Sequence, residues 1–301
     1  MTKQIKRARP QPQWKRWVEP ALVIVVVCLL SVATSLGTTR LQREGELRIW
    51  FFDIGQGDAA LVLLPTGEQL LIDAGRDNRV LSKLGAVLPP WDRSLDTIIL
   101  THPDADHITG FVDVLERYEV AEIITTGASA YTPVMQTLED QFVREQGYIR
   151  HVSQGERLTY GDVVIDVLWP EETLTGEVPE DRNNSSLVLR LVYKETSILF
   201  TGDAEQEAEE GFGSLVGDID VLTVGHHGSL TSSTVEFLDQ VDPEKATISV
   251  GIDNGYGHPH PVVLKRLEGS GVQVFRTDQD GDLFLTSEGG EPELTPHPLP
   301  F

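Results

Sequence analysis

Residues 101–110 read THPDADHITG, and these ten positions decide what the chain has to build. His102, Asp104, Asp106 and His107 follow an apolar run ending in TIIL, so they stand where a strand runs out and a helix is predicted to begin. In an extended or turning loop alternate side chains share a side. Residues 102, 104 and 106 can then point one way while His107 joins from the start of the helix. Four ligating groups reach one small volume. Imidazole nitrogen combined with carboxylate oxygen suits zinc, manganese or iron, whereas the all-oxygen sites of magnesium or calcium do not use two histidines. Taken alone, the decapeptide can also be an Asp- and Pro-rich solvent turn.

A second copy of the pattern weakens that bland reading. ALVLLPTGEQLLIDAG is two apolar runs around a Thr-Gly turn, closing in Asp73, and SLVLRLVYKETSILFTGDA repeats strand, polar turn, strand and closes in Asp203. Each copy continues into another strand and a histidine loop: LDTIILTHPDADH in the first, IDVLTVGHHGS in the second. Two similar halves are therefore expected to face each other. Their apolar strand runs suit sheets covered by a sheet on one side and helices on the other. ITGFVDVLERYE and VVLKRLEGSG are predicted helices, the latter ending at a Gly cap. The implied fold class is α/β, a four-layer αβ/βα sandwich with both histidine loops at one edge. Asp203 at the second strand end is placed to bridge two cations, which together can activate water and clamp the oxygens of a reacting group.

The ordered set FFDIGQGDA, LLIDAG, THPDADH, RNNSSLVL, LFTGDAE, VGHHGS, ISVGIDNGYGHPHP and RTDQDGD resembles the metallo-β-lactamase superfamily, and within it the ComEC-type hydrolase domains of DNA uptake. The resemblance covers roughly residues 47–287. It implies two divalent metal ions, Zn or Mn, one held by His102 and Asp104 and the other by Asp106 and His107. Asp203 bridges, and a histidine of the His226–His227 pair completes the second site; His226 is favoured because it directly follows the strand and Gly225. Asp104 stands where the superfamily usually has histidine, and this harder ligand makes manganese a competitor of zinc. The superfamily's middle histidine is replaced by RNNSS, leaving one metal more open and Asn184 and Ser185 available to substrate. Asp73 is expected to orient ligands from behind, with Asp53 and Asp58 of the GQGDA turn as further acceptors.

Other stretches allow two readings. The glycines of GQGDA equally suit a plain turn between strands. In YGHPHP, His258 can protonate a leaving group and His260 can contact a phosphate, or both can be ordinary exposed histidines. Asp106 and Asp203, with His258, are the residues expected to act on the substrate. TDQDGD faintly echoes a calcium loop but lacks the downstream Glu, and a hairpin turn accounts for it better. His151 and His297 stand alone and are assigned no role.

Composition sets the outer limits. The 301 residues carry a formal charge of −23, yet the first forty hold seven bases (Lys3, Lys6, Arg7, Arg9, Lys15, Arg16, Arg40) against Glu19 alone. The remainder is therefore more acidic than the chain as a whole and is no general polyanion binder. ALVIVVVCLLSVATSLG, preceded by Trp17 and Val18, approaches the ~20 residues that cross a bilayer. The expected organisation is a basic cytoplasmic segment (1–16), a transmembrane signal anchor (17–37), a linker (38–46), the hydrolase domain (47–287) and an irregular Pro/Gly-rich tail (288–301). Six bases before the apolar run predict a cytoplasmic N-terminus and an outward-facing domain. A cleavable signal peptide cut after Ala33 is the alternative. Cys28, the single cysteine, lies in the apolar segment, so the domain beyond it has no disulfide, cysteine nucleophile or zinc-finger site.

The functional expectation is a membrane-anchored, binuclear, metal-dependent hydrolase outside the cytoplasm, acting on a phosphodiester. By resemblance that diester is single-stranded DNA during uptake, with a separate channel protein supplying the pore that one apolar span cannot form. Hydrolysis of another envelope ester, a phosphocholine-type diester or a β-lactam, is one alternative. A non-catalytic accessory subunit of an uptake machine is another, opposed by the intact His and Asp set.

Overall fold

The first half opens on a strand with neither face exposed: β1 (Leu47–Phe51) is buried at all five positions. The computed structural model describes residues 24–27, 45–145 and 148–299. The predicted segments 1–16, 17–37 and 38–46 lie outside the described residues apart from the helical 24–27 and the short stretch from Gly45. Among the described residues no helix is long and apolar enough to cross a membrane. Residues 1–43 form one unit and 44–301 the other.

In the larger unit, β1 pairs antiparallel with β2 (Ala60–Leu63), and β2 with β3 (Gln69–Ile72) across the Thr-Gly turn. The chain then alternates. Helix α1 (Arg79–Val87) leads to β4 (Ser94–Leu100), α2 (Ala105–Leu115) to β5 (Glu119–Thr125), and α3 (Pro133–Glu145) to β6 (Tyr148–His151), with β3 to β6 parallel. The second half begins with the antiparallel strands β7 (Arg157–Tyr160), β8 (Val163–Trp169), β9 (Val188–Tyr193) and β10 (Thr196–Phe200). It repeats the alternation through α4 (Gln206–Val216), β11 (Val221–Thr223), α5 (Val235–Val241), β12 (Lys245–Ile248), α6 (Pro261–Gly269) and β13 (Gln273–Arg276). Strands β10 to β13 are parallel. Finally β14 (Leu283–Ser287) returns to pair with β1. The expected duplication is thus present as antiparallel strands followed by three helix–strand crossovers in each half, on an eight-stranded and a seven-stranded sheet.

The layering follows from which face each side chain occupies. Ile49, Val62 and Ile99 of the first sheet and Ile165, Leu191 and Ile198 of the second share one buried cluster, the core between the sheets. Phe212, Phe237, Leu238 and Val263 pack with Leu199 and Leu222 as a second cluster, placing α4, α5 and α6 on the far face of the second sheet. Helix α2 buries Ile108, Phe111, Val114 and Leu115, a spacing that makes one apolar stripe. Each fully buried side chain of this size contributes roughly 1.5–3 kcal/mol of hydrophobic stabilisation.

Two expectations are corrected at the C-terminal end. The segment 288–301 is not irregular throughout: Glu293–Pro296 forms β15, which pairs antiparallel with β14 from Leu283↔Pro296 to Thr286↔Glu293. Its one proline, Pro296, is tolerated because an edge strand needs only half its backbone groups in the ladder. Nor is TDQDGD a hairpin turn. Thr277–Asp280 is a helical turn, α7, and Asp282 is buried, accepting the Asp53 and Leu299 N–H groups and the Lys83 ammonium at 2.8–2.9 Å.

Candidate metal centre

The site is assembled at the ends of parallel strands, where the two halves supply equivalent loops. Asp73 is the first residue beyond β3, and its N–H still bonds to the Ile99 carbonyl of β4 at 2.9 Å. The backbone turns left-handed there (φ 53°), so the carboxylate folds back over the end of β4. It accepts from the Thr101 N–H at 2.9 Å, the Thr101 hydroxyl at 2.7 Å and His107 Nδ1 at 2.8 Å. Asp73 therefore holds the Nδ1 side of His107. Thr101 extends the argument to His102. Its single hydroxyl proton goes to Asp73, so toward His102 Nδ1, 3.0 Å away, the oxygen can only accept. The proton then sits on Nδ1, and the lone pair of Nε2 faces the site.

The second half supplies Asp203 and the histidine turn. Asp203 N–H donates to Ser186 Oγ at 3.0 Å. Its carboxylate lies 3.2 Å from His107 Nε2 and 3.7 Å from both His102 Nε2 and His227 Nε2. In the turn Gly225–Gly228, His226 (φ 48°) and His227 (φ 53°) are both left-handed, at a cost of about 1–2 kcal/mol each. This turn carries the chain past His226 before an imidazole enters the site. His227 Nδ1 contacts the Ser249 carbonyl at 2.9 Å and Asp58 at 3.2 Å, and its Nε2 is 3.6 Å from Asp106 Oδ2.

The preference for His226 is therefore corrected: His227 joins the cluster. His226 is partly exposed, with Nδ1 2.8 Å from Glu205 and 3.2 Å from Asn183. Asp104 occupies the N-cap position of α2 without a side-chain capping bond, and its carboxylate pairs with Arg182, outside the cluster of close-set ligand atoms. Asp58 lies 3.2 Å from His227 Nδ1, whereas the Asp53 carboxylate accepts the Gly55 N–H of its own turn at 3.2 Å. Gly57 lets that turn approach α2: a Cβ there would lie 1.9 Å from the Asp106 carbonyl. Asn184 is spent on structure, its Oδ1 accepting the Glu205 and Ala208 N–H groups at the start of α4. The Ser185 hydroxyl donates to the Arg182 carbonyl at 2.6 Å, and His260 caps α6 by accepting the Val262 N–H at 3.2 Å. Neither lines the pocket. His258 does, together with Gln56, Asn183 and Tyr256, which sequence reasoning passed over. Ser186 was also missed; its hydroxyl is 3.3 Å from His102 Nδ1.

These residues fit a divalent cation. His102 Nε2, His107 Nε2, His227 Nε2 and Asp203 Oδ1 are all buried without a hydrogen-bond partner of good geometry. Orphaned polar atoms of this kind are costly. Each Nε2 lies 3.2–3.7 Å from an Asp203 carboxylate oxygen, close to the roughly 3.4 Å between donors held about 2.1 Å from a tetrahedral ion. Among the described residues three close-set triads share His107, namely His102–His107–Asp203, Asp106–His107–His227 and Asp58–Asp73–His107, and a fourth is Asp58–Asp203–His227. Burial and the neighbouring His107 pull His102 down to about 3, leaving it neutral and able to ligate. Burial would also lower His107, but the Asp203 and Asp73 carboxylates outweigh it and hold the ring above the ordinary imidazole range. For Asp203 the reverse holds: burial is outweighed by His107 and His227, which keep it ionised.

Comparison with known proteins agrees with this architecture. Residues 53–252 match the family model described as the metallo-beta-lactamase superfamily. ComE operon protein 3 of Bacillus subtilis is 36% identical over 263 residues, 81% of this chain and 33% of the relative. Competence protein ComA of Neisseria gonorrhoeae is 33% identical, covering 82% of this chain and 33% of its own length. The chain thus spans about a third of the length of these curated relatives. Among solved structures, the metallo-beta-lactamase fold protein YhfI from Bacillus subtilis superposes with a TM-score of 0.53 at 15% identity, covering 83% of this chain and 99% of that one, a likeness of fold. Fold, ligand geometry and relatives converge: the chain belongs to the metallo-β-lactamase superfamily and carries a metal-dependent hydrolase domain related to bacterial competence proteins.

Proposed function

We infer that the chain is a phosphodiesterase that cuts a DNA strand, using two divalent ions, Zn or Mn, in the strand-end cleft. The observation that carries the reading is the convergence of His102, His107 and His227 Nε2 on Asp203, buried atoms without a hydrogen bond of good geometry, beside a pocket of about 170 Å³ that Asp203 and His227 line. His102, Asp106, His107, Asp203 and His227 would hold the ions, with Asp104 joining on release from Arg182. The ions would supply activated water and neutralise charge on the phosphoryl oxygens. Asp73 and Asp58 keep the Nδ1 sides of His107 and His227 engaged, so that both rings present Nε2 to the site. His258, at the pocket wall, would relay a proton to the leaving oxygen. The relatedness to competence proteins and the open pocket support a strand substrate.

In this reading residues 17–37 anchor the domain outside the cytoplasmic membrane, and a separate channel protein passes the strand. A second reading has its own observation: Asp181, Glu205, Glu207 and Glu210 line an acidic pocket of about 370 Å³ beside the site. Such a pocket suits a cationic head group, as in a phosphocholine-type diester. The test uses the full chain, loaded with Mn²⁺ or Zn²⁺, on single-stranded DNA, duplex DNA, a phosphocholine diester and bis-p-nitrophenyl phosphate. Turnover of single-stranded DNA that disappears in Asp203→Ala is expected. Turnover of the choline diester but of neither DNA replaces the first reading with the second, and a protein that binds no metal and turns nothing over sinks both.

A further inference from the structure

The pocket over the metal centre is small. About 170 Å³ is well below the roughly 300–1,000 Å³ of sites that enclose a whole drug-sized ligand. It can take the reacting group, and the rest of the substrate must lie outside, across the rim. At that rim stands Tyr256, 65% exposed, its ring within 8° of parallel to the His258 imidazole at 6.0 Å between centroids. His258 in turn meets His226 edge-on at 5.5 Å. The three rings run from the metal centre to solvent.

The loop that carries Tyr256 is braced. The Asn254 side-chain amide donates to the Gly251 and His258 carbonyls at 3.1 and 2.7 Å, and its Oδ1 accepts the His258 N–H at 3.1 Å. The far end is tied to the histidine turn by His260 N–H to the Gly228 carbonyl, 2.8 Å. The near end abuts the GQGDA turn so closely that a Cβ on Gly251 would lie 2.9 Å from the Gln56 nitrogen. An exposed aromatic ring is thus held in one place beside the reacting centre, its ordering cost met before any ligand arrives.

Charge decides what the ring is for. Asp104, Asp106 and Asp203 line the pocket, Glu205 adjoins it, and Arg182 is engaged by Asp104. Phosphates beyond the reach of the metals find little attraction on such a surface. Stacking of a base on an aromatic face needs no positive charge and tolerates any sequence. We propose that Tyr256, backed by His258, is the stacking platform for the unpaired nucleobase next to the scissile phosphate. This rests on the phosphodiesterase reading of the site, and it names the substrate more narrowly: a strand whose bases are free to leave the helix stack.

The test compares binding of an oligothymidylate with binding of an abasic oligonucleotide of equal length, by fluorescence anisotropy on the full chain with Mn²⁺. Wild-type protein should prefer the oligothymidylate, and Tyr256→Ala should cut that preference about 5- to 150-fold, the usual worth of one stacked base. Tyr256→Phe should keep it and Tyr256→Leu should lose it, which separates a π-face from bulk or a hydroxyl bond. No wild-type preference for bases, or equal loss in the Phe and Leu variants, overturns the platform. Because the readout is binding, a protein that stacks bases but cleaves no strand contradicts the phosphodiesterase reading while leaving the platform standing.

Discussion

The two halves of this domain follow one plan of hairpin, carboxylate, crossover helix, strand and histidine loop, and they differ in how far past the strand each functional residue lies. Asp73 comes one residue after β3 and remains tied to the sheet, so its carboxylate reaches the Nδ1 side of His107. Asp203 comes three residues after β10, beyond the sheet, and faces the Nε2 side of the same ring. One imidazole is thereby bracketed by the two copies of one carboxylate, the first orienting and the second placed to ligate. The histidine loops diverge likewise. The first uses an ordinary entrance to α2, the second a left-handed turn that adds two residues of reach.

The largest expected effect breaks this bracket on the ligating side. Asp203→Ala removes the carboxylate shared by three imidazoles, and bound metal measured by mass spectrometry should fall to background together with turnover. Asp73→Asn keeps shape but loses an orienting acceptor, for which roughly 10- to 100-fold in metal affinity or activity is expected. Equal losses in the two variants would show that the carboxylates have not diverged in role. In the second loop the same logic ranks the neighbours. His227→Ala should abolish metal loading of its triad, while His226→Ala should retain metal and lower turnover through the Glu205 and Asn183 contacts. Metal loss in His226→Ala with retention in His227→Ala would reverse the assignment.

A smaller effect concerns the crossover helices. Each buries one charge: α1 buries Lys83 against Asp282 at 2.8 Å, and α4 buries Glu209 against the Ser233 and Thr234 N–H groups that start α5. Lys83→Met strands the Asp282 carboxylate, and removal of one partner from a buried pair costs about 3–5 kcal/mol. Denaturant unfolding should show this loss with metal affinity unchanged. A variant as stable as wild type would mean that the Asp53 and Leu299 N–H groups suffice for Asp282.

The divergence also explains which parts were legible in the sequence. The duplication, the sheet-facing runs, the positions of Asp73, His102 and Asp203 just past strands and those of Asp106 and His107 at the start of a helix all follow from local periodicity, which the pleat and the helix turn convert directly into facing. The identity of the second-loop histidine was not legible, because it depends on a left-handed turn at two non-glycine residues, a geometry disfavoured locally and held by tertiary contacts. Asn184, Ser185 and His260 were misread for a related reason: polar side chains that can cap a helix or bind a substrate look the same until the helix start is seen. Tyr256 gave no signal beyond being an aromatic in a Gly-rich loop.

The finest distinction between the halves is electrostatic and lies at Glu209. Burial raises its carboxyl, and the Thr234 and Ser233 N–H bonds only partly offset that. An acid whose folded value is raised contributes stability that is fully present below its unfolded value, here near 4.5, and is lost as pH rises through the folded value. The stability of wild type relative to Glu209→Gln should therefore fall as pH increases from about 4.5 toward neutrality. Urea unfolding across that range, with chelator present so that metal loading does not vary, gives the difference directly. A gap that is flat or widens with pH would mean that the backbone N–H groups at the start of α5 outweigh burial. In that case Glu209 would act as an ionised cap, the ordinary role of a carboxylate at a helix start.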